Sequence, residues 1–573
     1  MYFRALAADY DGTLACHGAI EPSTIQAMLR LREAGRKLVL VTGREMADLK
    51  HVMPDLALFD RIVAENGGVL FDPATGREKL LGPGPPVELV RSLMARGVEP
   101  ISVGRTIVAT WQPHEAAVLS AISELGLDYQ IIFNKGAVMV LPSGVTKATG
   151  LAAALHDLGL SAANVVGVGD AENDRSFLAA CGCSAAVANA LQSVKESCDL
   201  QLKNDHGTGV VELIEVMLTQ DAAILPSERR GICFGIDSTG ARAILTPQES
   251  LLILGGSGSG KSRFTTMLIE RMMERKFSIC VLDPESEYGN FEAAVVIGDD
   301  KQAGSIAEAM RLLSRGINVV FGTLAINLDA RRQLLAKFVP QVLNLRTTQG
   351  RPHWIVVDEA HHYLFRSSRE TATTLARHGQ GMVLATITPE WLPQQTVSTV
   401  DHVIAFGTTA LELLSQCSNT PLQVRSEFTR RNPDQALLWS RSSPGEVRLL
   451  QIQGPVQVHE RHRGKYALGD VGEAHSFYFS WSGDGADHRA HNLAEFIEQS
   501  RVIPAEVWTR HLRAGDFAAW FLHVIRDEEL ARRTGEIAGD EQLSVVQSRD
   551  LIETVIRDRY AIPMEGSRSG PDG

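Results

Sequence analysis

Close to the start of the chain, the apolar run Tyr2 to Ala8 gives way to Asp9-Tyr10-Asp11-Gly12-Thr13. Carboxylates at i and i+2 share a direction in extended chain. One of the two can attack a phosphorus atom while the other protonates the leaving oxygen and later activates water, dividing one hard displacement into two easier ones. Such chemistry gathers negative charge and calls for a divalent cation. Gly169-Asp170-Ala171-Glu172-Asn173-Asp174, behind a second apolar run, offers hard oxygen ligands, which together with a substrate phosphate favour Mg2+. Thr42, in Val41-Thr42-Gly43-Arg44, can donate its hydroxyl to phosphate, and Lys147, in Ser143-Gly144-Val145-Thr146-Lys147, can neutralise a transferring group.

A second centre follows Leu251-Leu252-Ile253-Leu254, in Gly255-Gly256-Ser257-Gly258-Ser259-Gly260-Lys261-Ser262. Glycines let backbone N–H groups wrap a polyphosphate, Lys261 reaches its outer phosphates, and Ser262 binds Mg2+. A helix from Arg263 to Arg275 would present its N-terminus to the same phosphates. ATP contacts are therefore expected from Gly255, Gly258, Ser259, Gly260, Lys261, Ser262 and Arg263. The acidic partner is Trp354-Ile355-Val356-Val357-Asp358-Glu359: Asp358 to hold the Mg2+ shell, Glu359 to polarise an attacking water. Strand signals at Phe277 to Leu282 and Ile317 to Phe321 lie between Lys261 and this run, which favours a nucleoside triphosphatase with an added strand over a small-molecule kinase.

The elements that must position these residues alternate strand and helix, the pattern of parallel sheets with sites at the strands' carboxyl ends. The fold class read from this is α/β: a Rossmann-like domain over 1–222 with an inserted α+β module at about 83–141, then a RecA-like P-loop domain over 231–457. A small, mainly helical domain over 458–565 and a polar tail at 566–573, read as disordered, complete the chain. Inside the inserted module a strand is expected over Arg105 to Trp111, and Arg105, Trp111, His114 and Lys135 could read a substrate. The net charge of -12 argues against coating nucleic acid or anionic membrane by bulk charge, though not against a local basic patch. The seven cysteines lack the spacing of a disulfide framework or a thiolate zinc site. With neither a signal peptide nor a membrane-spanning run, a cytoplasmic protein is expected.

Together, Asp9-x-Asp11-Gly12-Thr13, Thr42-Gly43-Arg44, Glu65-Asn66-Gly67-Gly68, Lys147 and Gly169-Asp170 resemble the haloacid dehalogenase (HAD) superfamily, specifically its Cof-like phosphatases with a type IIB cap. The resemblance implies Asp9 as nucleophile, Asp11 as general acid/base, Thr42 and Lys147 as phosphate ligands, and metal ligands drawn from Asp9, Asp11, Asp170 and Asp174. It makes the inserted module a cap over a small, sugar-phosphate-like substrate. Asp283-Pro284-Glu285-Ser286-Glu287-Tyr288, with the P-loop and Asp358-Glu359, is similar to the HerA/FtsK-type ATPases, which implies a homo-oligomeric, hexameric ring and often action on DNA. That family usually carries a glutamine at the tip of the next strand; here Ala385-Thr386-Ile387-Thr388 puts Ile387 there, so Thr386 or Thr388 would have to substitute. A trans-acting arginine is expected among Arg425, Arg430 and Arg431. The reading is a bifunctional Mg2+-dependent phosphomonoesterase and ATPase. The alternative is a DNA- or RNA-acting ATPase with an associated end phosphatase.

Overall fold

Short runs of small and branched apolar residues, with no polar alternation, suit strands covered on both faces. Ala5–Ala8, Lys37–Val41 and Val165–Gly169 are such runs, and they pair in parallel at the middle of an eight-stranded sheet. The sheet order is Leu200–Gln201, Cys183–Ala186, Val165–Gly169, Ala5–Ala8, Lys37–Val41, Arg61–Ala64, Val69–Asp72, Arg77–Leu80, with the last two antiparallel. Ala8 lies level with Val168 on one side and Leu40 on the other, so the loops carrying Asp9, Asp170 and Thr42 emerge together. The structure, a computed structural model, describes all residues except 54, 257–258, 290, 300, 365–378, 419, 423–433, 456–465, 468–475, 480–487, 526, 541 and 561–573.

The inserted module is a four-stranded antiparallel sheet, ordered Tyr129–Asn134, Ala137–Pro142, Val108–Trp111, Ser102–Val103, backed by the helices Val87–Ala95 and Glu115–Glu124. Its third strand begins at Val108, not Arg105. The reason is Glu65, whose buried carboxylate accepts the N–H groups of Arg105 (3.1 Å) and Thr106 (2.8 Å) and the Thr106 hydroxyl, holding that stretch as a loop docked on the core domain.

The third sheet has eleven strands. Its parallel part runs His402–Ala405, Leu251–Leu254, Met382–Thr386, Trp354–Val357, Ile279–Asp283, Asn318–Gly322, Ala294–Ile297. Met382–Thr386 lies between the glycine-loop strand and the Asp358 strand, while the strand signals at Phe277 to Leu282 and Ile317 to Phe321 form Ile279–Asp283 and Asn318–Gly322 on the far side of the Asp358 strand. A smaller core of Phe477, Phe496, Trp508, Phe517, Trp520 and Phe521 gathers the helices Leu493–Val502, Ala505–Ala514 and Asp516–His523. No helix among the described residues is long and apolar enough to cross a membrane.

The two α/β sheets meet through a polar seam. The Arg4 guanidinium donates to the Arg346 carbonyl (2.7 Å), and Arg351 and Arg275 donate to the carbonyls of Leu160 and Arg229. His353 Nε2 lies 3.1 Å from Asn164 Oδ1, and its Nδ1 accepts the Ser278 N–H at 2.9 Å. Ala163 packs directly into the core around Phe277 and Trp354.

Candidate active sites

The first site gathers at the carboxyl ends of the three central strands. Carboxylate oxygens of Asp9, Asp170 and Asp174 all lie within 4.8 Å of one another, and all three residues are buried. Each is oriented from behind. The Asp170 and Ala171 N–H groups donate to Asp174 Oδ2 at 2.9 and 3.0 Å, and the Thr13 hydroxyl donates to Asp170 Oδ1 at 3.1 Å. Lys147 opens the helix Lys147–Asp157, which Thr146 caps through the Thr149 N–H, and its ammonium donates to Asp9 Oδ1 and Asp174 Oδ1 at 2.5 Å each. Burial pushes the Asp9 carboxyl well above the usual carboxylate range, and the neighbouring Asp174 charge adds to that, against the pull of Lys147. Burial works against the Lys147 ammonium, but Asp174 and Asp9 outweigh it and its pKa is raised. Three converging hard-oxygen ligands whose charges repel one another suit a divalent cation such as Mg2+.

Thr42 is buried, and its oxygen accepts the Arg44 N–H at 3.1 Å, which leaves its own hydrogen to donate. Asp11 does not join the acidic group. The chain leaves extended geometry after Asp9, with the Leu14 and Ala15 N–H groups turning back to the Asp9 and Tyr10 carbonyls, so the i and i+2 carboxylates part. Both Asp11 oxygens accept from Arg44, at 2.7 Å each, and Asp11 remains 46% exposed at the rim. Arg44 belongs to a motif visible in sequence, but its pairing with Asp11 is a tertiary contact that spacing does not reveal.

The second site lies at the ends of the P-loop strand and its neighbours. Gly255 (φ 152°) permits close packing: a Cβ there would stand 2.5 Å from Ser259 Oγ. That hydroxyl is buried with no partner among the described residues, as expected of a donor awaiting phosphate. Lys261 opens the helix Lys261–Glu274, 3.5 Å from the Gly256 carbonyl and 3.8 Å from Glu359, and Ser262 follows it in the first turn. The donors fit a nucleotide's phosphates. Gly258 lies outside the described residues, as do Arg425, Arg430 and Arg431. Arg263, expected on ATP, pairs instead with Asp434, because the first helical turn aims it at the loop before Gln435–Ser440.

Asp358 is nearly inaccessible, and burial, reinforced by Glu287 and Glu359, raises its pKa well above the usual range. The Tyr288 hydroxyl donates to Asp358 Oδ2 at 3.0 Å. Asp283 in turn anchors the loop carrying Tyr288 by accepting the Glu285, Glu287 and Tyr288 N–H groups. Sequence reasoning singled out this loop without seeing that contact. Ile387 is half-buried, while the preceding Thr386 hydroxyl sits 3.1 Å from His361 Nδ1, itself 3.4 Å from Glu359. A polar link thus runs from Met382–Thr386 to the acidic pair through a histidine to which sequence gave no role.

Comparison with known proteins matches a family model in each half of the chain. Residues 6–80 and 117–214 match the family model for haloacid dehalogenase-like hydrolases, and residues 239–376 match the central domain of helicase HerA. The phosphoglycolate phosphatase of Methanothermobacter thermautotrophicus is 27% identical over 219 residues, covering 37% of this chain and 97% of that protein. The phosphoglycolate phosphatase of Halorubrum lacusprofundi is 29% identical over 226 residues, covering 38% and 97%. Among solved structures, a haloacid dehalogenase-like hydrolase from Bacteroides thetaiotaomicron aligns at 18% identity and a TM-score of 0.34, over 38% of this chain and 99% of its own. The chain thus carries a region similar to haloacid dehalogenase-like hydrolases followed by one similar to the central domain of helicase HerA, which supports phosphatase and ATPase activities.

Proposed function

We propose that residues 1–222 form a Mg2+-dependent phosphomonoesterase, capped by about 83–141, and that residues 231–457 bind and hydrolyse ATP as a ring-forming, hexameric unit in the cytoplasm. In the first centre an Asp9 oxygen bonds to phosphorus as the ester P–O bond breaks, and Asp11 gives its proton to the leaving oxygen. Asp11 then takes a proton from water, which hydrolyses the aspartyl phosphate and frees Asp9. Thr42 and Lys147 hold the phosphoryl oxygens throughout. When bound by Asp9, Asp170 and Asp174, Mg2+ would offset the repulsion between carboxylate and phosphate. The observation that carries this reading is the convergence of those three aspartates and Lys147 within one buried cluster. In the second centre Lys261 and Ser259 would hold the phosphates, Asp358 and Ser262 the metal shell, and Glu359 the attacking water.

Purified protein with Mg2+ should release phosphate from p-nitrophenyl phosphate. Asp9→Asn should reduce this by at least about 10³-fold while ATP hydrolysis persists. Joint loss of both activities in a folded variant would show that the centres are not independent. The match to a helicase central domain favours a second reading, an ATPase acting on DNA or RNA with an end phosphatase attached. Absence of any salt-sensitive affinity for single- or double-stranded DNA or RNA would remove it.

A further inference from the structure

Glu359 sits where the backbone turns sharply (φ 41°, ψ 53°), a left-handed conformation that a residue with a side chain keeps only where its surroundings hold it. The short turn Ala360–His362 follows, closed by the His362 N–H donating to the Glu359 carbonyl at 2.8 Å. That turn sets the His361 ring beside the Glu359 carboxylate, with Nδ1 3.4 Å from a carboxylate oxygen and 3.1 Å from the Thr386 hydroxyl. The His361 ring packs against the ring of His362, 4.5 Å between centroids, and against that of Trp391, 4.7 Å. Arg331 fixes His362 in turn: its Nη1 lies 3.0 Å from His362 Nδ1, while the same guanidinium donates to the Thr323 and Pro284 carbonyls. Thr386 ends the strand Met382–Thr386 and Trp391 closes the turn just after it, and Ile387 between them offers no polar atom.

The position of one hydrogen decides what this ring does. With it on Nδ1, the ring donates toward the Glu359 carboxylate and the Thr386 oxygen together, and the nearby carboxylate favours that tautomer. Glu359 also faces Lys261, at 3.8 Å. On the ATPase reading above, Lys261 turns to the outer phosphates when nucleotide binds, which ends that pairing. We infer that His361 is the positioning residue that then keeps Glu359 aimed at the attacking water, with Thr386 orienting His361. The polar contact that Ile387 cannot make is thereby supplied one residue earlier, through the histidine.

The test uses the full-length protein with Mg2+ and ATP, in wild type, His361→Phe, His361→Asn and Thr386→Val. His361→Phe keeps a ring against His362 and Trp391 but lacks the nitrogen; His361→Asn loses the ring but can set an amide N–H near the place of Nδ1. His361→Phe should lower kcat on the order of 10- to 100-fold, the range for losing one charged hydrogen bond, with fluorescent-nucleotide affinity unchanged to within about 2-fold. His361→Asn should keep more turnover than His361→Phe, whereas a role in packing alone predicts the reverse. Thr386→Val, nearly isosteric, should lower kcat less than His361→Phe, and the two together should lose less than the product of their separate effects. In a Glu359→Gln background, His361→Phe should alter the residual turnover by less than about 2-fold, because the group it positions is gone. The inference is overturned by unchanged kcat in His361→Phe or Thr386→Val, by nucleotide affinity falling along with turnover, or by His361→Phe outperforming His361→Asn. A full further loss in the Glu359→Gln background overturns it as well. Failure of wild type to hydrolyse ATP would instead overturn the ATPase reading itself.

Discussion

Acidification should weaken the joint between the two α/β sheets, and His353 sets the scale. Its Nδ1 accepts the Ser278 N–H, so the ring hydrogen sits on Nε2 and faces Asn164 Oδ1. Burial, then the nearby charges of Arg351 and Arg346, push its pKa from the ordinary 6.5 down to about 3. Between those values the unfolded chain binds a proton that the folded chain refuses. Stability then falls as pH falls, from the unfolded pKa toward the folded one. From about pH 7.5 to about pH 5 the unfolded ring passes from mostly neutral to mostly protonated, which removes about 2 kcal/mol. Urea unfolding of wild type and His353→Gln at both pH values isolates this contribution, since carboxylates common to the two proteins cancel in the comparison. The variant should start less stable, having lost a buried hydrogen bond, yet lose about 2 kcal/mol less on acidification. Equal acid-induced losses, to within about 0.5 kcal/mol, would refute the buried neutral ring.

Two further outcomes bear on the sites. Glu359→Gln should still bind ATP, measured by fluorescent-nucleotide titration, while steady-state phosphate release from ATP falls on the order of 10²-fold or more; undiminished turnover would remove Glu359 from the water-activating role. Gly67→Ala places a Cβ 1.9 Å from the Thr146 carbonyl at φ 107°, in the loop against the helix that carries Lys147. A loss of about 2 kcal/mol or more in stability is expected from denaturant titration, and a neutral result would mean that this backbone shifts freely.

The strand ends were legible in sequence because chemistry interrupts apolar runs there. Asp9, Asp170 and Thr42 close three short buried strands, and parallel pairing brings such ends level whatever else the fold does. The strands Ile279–Asp283 and Asn318–Gly322 of the P-loop sheet could be read as apolar runs as well. What spacing could not reveal are contacts made by long side chains across elements: Arg44 drawing Asp11 to the rim, Arg263 turned to Asp434, Tyr288 reaching Asp358. The misplaced start of the cap strand belongs with these, since Glu65 lies far along the chain from the amides it holds. The seam was invisible for another reason. His353 merely precedes an apolar run in sequence, and only the packing of the second sheet against Asn164 gives its ring a partner.

That joint has a consequence for traffic between the two halves. Asn164 immediately precedes the strand Val165–Gly169, which delivers Asp170, and His353 immediately precedes Trp354–Val357, which delivers Asp358. The halves thus touch at the strands' amino ends, and each hydrolytic centre stands a strand's length away, roughly 15 Å. An intermediate handed from one centre to the other would have to cross about two strands' lengths and the joint between them. The linkage is suited to transmitting force or position along rigid strands, not to passing molecules.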